Sequence, residues 1–450
     1  MSSPIAILGG GIAGLVLARR LHERGMAFEL FEASSEFGGM ARTLRHGAFG
    51  VDTGAHRFHD KDPEITAWTG ALLDGAWHKS HKRSAILKFG RFIEFPLSPV
   101  NVLRNVPFTR GMRYAWDFVF RARGEPSNFR DHALTRFGGA LAEDFVLQYS
   151  RKLWGVPLET LSLELGTGRL KNLSLATVLK EMCFGERKKH EHLDGSFYYP
   201  RGGYGRITDA LLAGLPSERL HANCAITALA RGDGGYRVAT PQGERVFAAV
   251  AGALPLSKLC AMADWVPESA SSLARKLKHR HLVNVFVMLN RPEVSPHASL
   301  YVPDADCLVT RVHEPKQRCP SLAPSEQTSL LAEVPLDDAT AAQTATRVPA
   351  VNRLRDETVA ALARLGLYKQ DEVLGAEAHV ISNAYPCITL ESLEQRRAAV
   401  AALEAPGDFY CFGRSARFEY THLHQIFREA FTLTDRLCER SPAVQPVAEA

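Results

Sequence analysis

The sequence has no Cys-x-x-Cys pair and no apolar run long enough to cross a membrane. Its eight cysteines are scattered over 450 residues, which is typical of reduced thiols and favours a reducing cytoplasm. Residues 5–18 are apolar, but glycines interrupt them and no basic segment precedes them, so they do not indicate a secretory signal. We therefore expect a cytoplasmic protein without an integral membrane segment.

Neither basic nor acidic residues are in large excess. The chain carries 54 basic and 49 acidic side chains, for a net charge of +5. Nucleic-acid binders normally carry denser basic clusters, so we expect no nucleic-acid partner. The 46% hydrophobic and 23% charged composition excludes a disordered chain, a fibre and a disulfide-rich mini-protein. The length indicates about three domain-sized units.

Several catalytic signatures are missing as well. The sequence has no Gly-x-Ser-x-Gly, no zinc signature and no phosphate-binding Gly-Lys-Ser/Thr. His56 and His59 form a His-x-x-His pair, but no third and fourth ligand follows at a suitable spacing. We therefore expect no metal site.

The N-terminus, in contrast, carries a strong positive signal. A short apolar strand, a glycine-rich loop and a helix are followed by a second strand that ends on Glu32. In such a unit Gly9 permits the tight turn, Gly11 lets backbone approach a pyrophosphate, and Gly14 lets helix and strand pack closely. The helix N-terminus favours the phosphates, and Glu32 can bind ribose hydroxyls. The pattern predicts a Rossmann-like dinucleotide-binding domain.

The residues after Glu32 indicate which dinucleotide is bound. Gly38-Gly39-Met-Ala-Arg42 resembles an element of the flavoprotein family that includes protoporphyrinogen oxidases, amine oxidases and UDP-galactopyranose mutases. The resemblance implies FAD as the cofactor, with Arg42 on its pyrophosphate. A guanidinium offers a planar fork of donors to phosphate oxygens. The alternative is a surface loop with a solvated arginine.

Two more segments extend this resemblance along nearly the whole chain. One, at residues 54–56, lies beside the flavin ring in the family. The other, at residues 413–425, leads into a helix whose N-terminus would stabilise negative charge on reduced flavin. The resemblance also implies a backbone contact of Ala225 with the adenine. The cofactor-binding residues expected are Gly9, Gly11, Gly14, Glu32, Gly38, Gly39, Arg42, Gly54, Ala55, Ala225, Gly413, Arg414, Leu423, His424 and Gln425.

The C-terminal segment also departs from the family. The family often has an acidic residue where His422 stands. A cation at this position could alter the flavin potential or the choice of substrate.

The sequence offers fewer candidate residues for contact with the substrate than for contact with the cofactor. Residues 149–155 resemble a Tyr-x-x-Lys-x-Trp-Gly element at the substrate cleft of the galactopyranose mutases, the branch to which the chain is most similar. The candidate catalytic residues are His56, Trp154, Tyr385 and Tyr420, with packed core side chains as the alternative. Arg151, Lys152 and Arg169 are candidates for holding an anionic substrate.

A basic stretch with interleaved aromatic residues lies at residues 104–130. It could touch a membrane or a lipid-linked substrate. A solvated helix face is the interpretation that the sequence favours.

The fold class expected is α/β, with a Rossmann-like FAD-binding domain assembled from discontinuous segments. We assign residues 1–74, 195–255 and 375–440 to that domain. Residues 75–194 are expected to form a largely helical insertion, and residues 256–374 an antiparallel β-sheet substrate domain. Within these, residues 83–95 predict a hairpin that turns at Gly90, and residues 220–229 a single strand.

The resemblance leaves the reaction open. An FAD-dependent oxidoreductase would oxidise a C–H or C–N bond of a small-molecule substrate in a biosynthetic pathway, passing a hydride to flavin N5. A redox-neutral sugar-nucleotide mutase would instead use reduced flavin N5 as a nucleophile, as galactopyranose mutases do. A flavin-bound protein without turnover is the third alternative. The substrate, the electron acceptor and the oligomeric state stay open.

Overall fold

The computed structural model describes residues 4–95, 97, 99–165, 196–345 and 347–440. In this part of the chain the strands are β1 (Ile5–Leu8), β2 (Phe28–Phe31), β3 (Thr43–His46), β4 (Phe49–Asp52), β5 (Trp77–Ser80), β6 (Ser84–Lys88), β7 (Arg91–Phe95), β8 (Phe197–Pro200), β9 (Leu220–His221), β10 (Ala228–Gly232), β11 (Gly235–Thr240), β12 (Gly243–Phe247), β13 (Ala249–Gly252), β14 (His279–Leu289), β15 (Ser299–Tyr301), β16 (Arg311–His313), β17 (Thr328–Leu336), β18 (Val373–Pro386) and β19 (Phe409–Cys411).

The helices complete the described chain. They are α1 (Ile12–Glu23), α2 (Pro63–Leu72), α3 (Pro99–Asn105), α4 (Phe108–Val119), α5 (Phe129–Phe137), α6 (Gly139–Ala142), α7 (Gln148–Trp154), α8 (Gly205–Leu212), α9 (Leu256–Met262), α10 (Glu268–Arg275), α11 (Asp338–Ala345), α12 (Val348–Arg364), α13 (Leu390–Glu404), α14 (Gly413–Arg417) and α15 (Leu423–Arg440), with a π-helical turn at Glu143–Leu147.

A five-stranded parallel sheet forms the first layer, in the order β19-β13-β1-β2-β9. All four residues of β1 are buried, as expected for a short apolar strand with neighbours on both sides. In register, Ile7 lies between Ala251 and Leu30. The strands come from the beginning, the middle and the end of the chain, so the Rossmann-like unit is discontinuous as predicted.

A seven-stranded sheet forms the second layer, in the order β18-β14-β17-β16-β15-β6-β7. Its pairings are antiparallel except for β15 with β6. The long central strand β14 places Val285 between Ala332 and Ala378. The predicted α/β class and the predicted antiparallel sheet are therefore both present.

This sheet includes strands on both sides of the boundaries that we expected for the substrate domain from the sequence. The hairpin β6–β7 turns at Phe89 (φ 56°) and Gly90 (φ 68°). It lies inside the predicted helical insertion, yet it pairs with β15. Strand β18 lies mainly inside the predicted FAD-binding segment but pairs with β14. We propose that both stretches belong to the substrate-side unit, because pairing in a sheet ties them to it more strongly than nearness in sequence.

Helices α3–α7 form a layer whose core is mostly aromatic and aliphatic. Their buried side chains pack against Ile86 and Ile93 of the β6–β7 hairpin. Among the described residues, no helix combines the length and the apolar character that crossing a bilayer requires. The candidate residue Arg169 lies outside the described residues.

Candidate active site

The first glycine loop shows why glycine is needed where β1 meets α1. A Cβ added to Gly14 would lie 2.0 Å from the carbonyl oxygen of Gly9, which no side chain can tolerate. Gly9 itself has φ +109°. A Cβ on Gly11 would meet no atom within 4 Å, so the backbone there faces open space. The loop is shaped for the close approach of a ligand.

A second glycine loop packs directly on the first. The Gly38 N–H donates to the Gly10 carbonyl at 2.8 Å, and a Cβ on Gly39 would lie 3.1 Å from the Gly11 Cα. Arg42 follows this loop, but its guanidinium pairs with Glu36 and donates to the Gly39 carbonyl at 3.1 Å. The contact of Arg42 with a pyrophosphate stays a prediction, since that contact competes with the pairing to Glu36.

The carboxylate of Glu32 is held at the end of β2. Its Oε2 accepts from the Gly10 N–H at 2.9 Å, and its Oε1 accepts from the Ser34 N–H at 2.9 Å. The Glu32 carbonyl accepts from the Cys224 N–H at 2.8 Å. Strand β9 ends at His221, Asn223 has φ 52°, and its N–H donates to the Ser34 carbonyl at 2.9 Å. The predicted single strand over residues 220–229 is therefore wrong. Ala225 lies in a loop beside Glu32, and its adenine contact stays a prediction.

A cavity of about 690 Å³ runs from these loops to the seven-stranded sheet. Such a volume is in the range of cofactor and ligand pockets. Among its lining residues are these predicted site residues: Gly11, Gly39, Gly54, Ala55, His56, Trp154, Tyr385, Gly413, Arg414, Tyr420 and Leu423. The other predicted residues are not among its lining: Gly9, Gly14, Glu32, Gly38, Arg42, Ala225, His424 and Gln425.

The N-terminus of α15 faces this cavity through Leu423 and Ile426. The Gln425 side chain accepts from the His422 N–H at 2.8 Å and caps the helix start. The first N–H groups of a helix have no partner within the helix and carry a partial positive charge. They would favour negative charge on a bound cofactor.

Unsatisfied polar atoms mark the same region. Arg414 donates from Nη2 to the Thr421 carbonyl at 2.7 Å, but its buried Nε has no hydrogen-bond partner among the described residues. The hydroxyl of Thr421 and Nδ1 of His424 are also buried and unsatisfied there. Buried polar groups normally have partners. Arg414 lines the cavity, whereas Thr421 and His424 do not, so a cavity ligand with an acceptor atom would complete Arg414. Together with the open backbone at Gly11, this unsatisfied donor fits FAD.

His56 lies in the cavity wall as a neutral side chain. Its Nε2 donates to the Met40 carbonyl at 2.6 Å, and its ring stacks on Tyr204 at 4.9 Å. Burial, and then the nearby Arg318, lower the pKa of His56 to about 3. The ring therefore offers Nδ1 as an acceptor at neutral pH and no imidazolium proton. A catalytic role for His56 stays a prediction.

Three further histidines form a cluster beside α15. The rings of His59 and His422 are 5.2 Å apart, and those of His422 and His424 are 5.9 Å apart. Burial, and then the neighbouring His59, lower the pKa of His422 to about 3. Burial with Arg57 lowers that of His59 to about 4. At neutral pH the His422 ring is therefore neutral and does not supply the cation that could alter the flavin potential. Within the described chain, no group of three or more His, Cys, Asp or Glu residues is arranged to hold a metal ion.

The substrate-side wall joins the three candidate aromatic residues to an ion pair. Trp154 meets Tyr385 at 6.2 Å, and Tyr385 stacks on Tyr420 at 5.9 Å. Arg311 donates to the Tyr385 hydroxyl at 3.0 Å and binds Glu333 through two contacts of 3.0 and 2.5 Å. Burial alone would lower the pKa of Arg311, but the Glu333 carboxylate raises it well above its usual value.

Arg57 is a cavity residue that the motifs did not identify. Its Nη2 donates to the hydroxyls of Ser84 and Ser299 at 2.7 and 3.2 Å. Among the ion pairs of the described residues, none includes Arg57. Burial, and also Arg311, lower its pKa, yet arginine stays charged in proteins. Its position next to His56 in the matched segment was the available signal.

The other predicted cations have structural partners instead. Lys152 donates from Nζ to the carbonyls of Asp304, Cys307 and Val309 at 2.8–2.9 Å. Burial lowers its pKa to about 8. Arg151 pairs with Glu143 at the surface. Neither residue lines the cavity, so the expectation that they hold an anionic substrate is not supported by their positions.

One end of the cavity is strongly apolar. The apolar residues that line it there come from β7, the helical layer and the segments beside them: Phe95, Leu97, Phe129, Phe137, Phe145, Val146 and Leu165. Such a wall accommodates an apolar part of a ligand and excludes water from the polar groups farther in.

The two glycine loops and the N-terminus of α15 border one cavity, and the carboxylate of Glu32 is held at the end of β2 beside the first loop. Together with the parallel sheet, this arrangement defines a dinucleotide-dependent flavoprotein. The family model for flavin-containing amine oxidoreductases matches residues 12–398. The chain belongs to this family, and it is an FAD-dependent enzyme.

Individual relatives agree with the family at the level of the fold. The structure of a reduced UDP-galactopyranose mutase superposes with a TM-score of 0.84 at 20% identity, over 98% of this chain and 97% of that one. A proposed protoporphyrinogen oxidase from Exiguobacterium sp. 255-15 gives 0.76 at 16% identity, over 98% and 100%. In sequence, protoporphyrinogen oxidase 2 of Arabidopsis thaliana is 30% identical over 108 residues, 22% of this chain and 20% of that protein.

Proposed function

We propose that the chain is an FAD-dependent oxidoreductase that oxidises a C–H or C–N bond of a small substrate carrying an anionic group. The single observation that carries this proposal is the charge of the cavity wall. Among the described residues, the cationic ones that line it are Arg57, Lys61, Arg311 and Arg414, and the one carboxylate is that of Glu333, paired with Arg311.

This charge balance argues against a protonated amine as substrate. A cation entering the cavity would face Arg57, and the part of the wall that the structure describes has no unpaired carboxylate to offset its charge. The neutral histidines at positions 56, 59 and 422 add no charge of either sign. A carboxylate or phosphate, in contrast, can accept from the remaining donors of the Arg57 guanidinium, and such charge-assisted bonds are the strong ones.

Bound FAD supplies the hydride acceptor, which is the difficult part of the chemistry. The residues of this chain bind and orient the substrate. Arg57 holds the anionic group, and the aromatic pair Tyr385–Tyr420 packs against the substrate body. The Arg311–Glu333 pair fixes the Tyr385 hydroxyl without adding net charge. The apolar end of the cavity excludes water from these contacts.

A redox-neutral mutase acting on a sugar nucleotide is the second candidate. The arrangement of Trp154 against Tyr385 and Tyr420, with Arg311 behind them, supports it. The matched Tyr149–Trp154 element is shared with the mutase branch, and arginines suit a diphosphate. Both candidates share an anionic substrate and differ in whether the substrate is oxidised.

Anaerobic mixing of the holoenzyme with a panel of carboxylates, sugar nucleotides, porphyrinogens and amines separates the two candidates. An oxidoreductase bleaches the oxidised flavin band with an anionic member of the panel and yields an oxidised product. A mutase converts a sugar nucleotide only after prior reduction with dithionite, without net oxidation. Bleaching by amines alone would contradict the proposal.

Arg57→Met then tests the proposed anion contact. Loss of one charge-assisted contact, worth about 1.5–3 kcal/mol, should raise KM for the anionic substrate roughly 10- to 150-fold. Arg57→Lys, which keeps the charge but loses the fork, should fall between Arg57→Met and the parent. Unchanged KM in Arg57→Met would contradict the role of Arg57.

A further inference from the structure

Helix α4 presents its apolar side to solvent. Half of the ten exposed large hydrophobic side chains in the described chain lie on α4 or directly after it: Phe108 at 80%, Met112 at 61%, Trp116 at 64%, Val119 at 59% and Phe120 at 65% exposure. Spacings of three, four and eight residues put them on one helical face. We call these five residues the apolar face of α4.

The opposite side of α4 is already used for packing. Gly111 and Tyr114 are buried, and the Tyr114 hydroxyl donates to Asp144 at 2.6 Å. The helix is therefore anchored to the molecule by its other side, and no element of the described chain covers its apolar face. Contiguous exposed apolar patches of this kind mark interaction sites.

The charge around this face indicates which partner fits. Residues 99–137 carry seven arginines against three acidic residues. Arg104, Arg113, Arg123 and Arg130 are exposed and lie on α4 or on the segments next to it in the chain, whereas Arg110 pairs with Asp144 on the anchored side of the helix. Aromatic and aliphatic residues on one side of a helix, with arginines at its edges, are typical of helices that lie in the interface of an anionic bilayer.

The same charge disfavours a second copy of the chain. A two-fold interface would place the same basic patch on both sides. The exposed arginines would then face one another, and the few acidic residues nearby are partly engaged, as Asp117 is with Arg113. A surface of anionic lipid headgroups, in contrast, neutralises the arginines while the acyl region receives the aromatic rings.

We propose that α4 lies flat on an anionic lipid bilayer, with its apolar face inserted about 5–10 Å into the boundary between headgroups and acyl chains. This attachment is peripheral and needs no membrane-spanning helix. The Tyr114 ring, on the anchored side of α4, lies 6.1 Å from Phe145, which lines the apolar end of the cavity. The membrane surface would thus lie one helix away from that end, on the path of an apolar substrate.

Sedimentation of the FAD-loaded protein with vesicles tests this attachment without knowledge of the substrate. We expect binding to vesicles of phosphatidylcholine mixed with phosphatidylglycerol, weaker binding at high salt, and little binding to phosphatidylcholine alone. The double variant Phe108→Ser/Trp116→Ser should bind at least tenfold more weakly. Inserting each exposed ring into the bilayer should gain a large part of the free energy of burying an aromatic side chain.

Matched variants distinguish insertion of the apolar face of α4 from the effect of removing any exposed apolar side chain and from a disturbed fold. Val348→Ser/Leu374→Ser removes two exposed apolar side chains elsewhere and should leave vesicle binding unchanged. Arg123→Glu/Arg130→Glu should weaken binding and reduce its salt dependence. Flavin content and circular dichroism of each variant report whether the fold is intact. These positions are exposed, so we expect both to match the parent.

A depth measurement gives an independent readout. Of the five tryptophans, Trp116 is exposed and the other four are buried or half-buried. Lipids brominated near the headgroup should quench the parent protein and should quench Trp116→Phe much less. Absence of vesicle binding by the parent, or equal binding by the Phe108→Ser/Trp116→Ser variant, overturns the proposal. A dimer that this variant dissociates, with no lipid binding, assigns the face to self-association and also overturns it.

Discussion

His279 makes the stability of the protein depend on pH in a way that can be worked out from its surroundings. It is buried at the start of β14, its Nε2 has no hydrogen-bond partner among the described residues, and its ring meets Phe418 edge to face at 5.0 Å. Burial lowers its pKa from 6.5 to about 4, although Asp338 acts in the opposite direction. The folded chain therefore holds this ring neutral where the unfolded chain protonates it.

The sign of the effect follows from linkage. Stability contributed by the neutral ring is complete above pH 6.5 and is lost as the pH falls from 6.5 through about 4. At pH 5 the gap of 1.5 units below the unfolded pKa corresponds to a loss of about 2 kcal/mol. His279→Met, of similar volume and without a titratable group, should therefore lose about 2 kcal/mol less than the parent between pH 8 and pH 5.

Urea-induced unfolding of the FAD-loaded protein at the two pH values measures this difference, provided that the slopes agree between parent and variant. His81→Met is the matched control, because His81 is exposed and stays in water in both states. It should follow the parent at both pH values. An equal acid-induced loss in the parent and in His279→Met would refute the reasoning.

Two further substitutions test the glycine loop and the lysine contacts. Gly14→Ala should lower the flavin-to-protein absorbance ratio severalfold, because its Cβ would lie 2.0 Å from the Gly9 carbonyl; Gly232→Ala, where a Cβ meets nothing within 4 Å, should retain FAD. Lys152→Met should lower the free energy of unfolding by about 2–4 kcal/mol, because three carbonyls lose their shared donor. Arg151→Met, which removes the exposed ion pair of Arg151, should lower the free energy of unfolding by at most about 1 kcal/mol. A normal flavin-to-protein absorbance ratio in Gly14→Ala would contradict the explanation of the glycine loop. Equal free energies of unfolding of Lys152→Met and Arg151→Met would contradict the explanation of the lysine contacts.

The part of the site that depends on local backbone geometry was predictable from the sequence. Gly9, Gly11 and Gly14 follow directly on a strand and open a helix, so their spacing alone defines the turn that the structure shows. The parallel sheet and the flavin family followed from such short-range patterns. The turn of the chain after β9 did not, because it involves a positive φ at Asn223 and bonds from Asn223 to Ser34 and from Cys224 to Glu32.

The side-chain partnerships were not predictable, because they join distant parts of the chain. Arg57 is held by Ser299, 242 positions away, and Lys152 binds the carbonyl of Asp304, 152 positions away. A sequence pattern cannot say whether an arginine or a lysine finds such partners. As a result, Lys152 was expected to face an anionic substrate and Arg57 was overlooked. The neutrality of His422 likewise follows from burial among other histidines, which only the folded chain brings together.

The most direct test of the account is the anaerobic reaction of the holoenzyme with matched substrates that differ in the sign of one charge. The positive cavity around Arg57 predicts that carboxylate- or phosphate-bearing compounds bleach the oxidised flavin band and that Arg57→Met slows this bleaching at limiting substrate. Bleaching by protonated amines, with no response to their anionic counterparts, would contradict it.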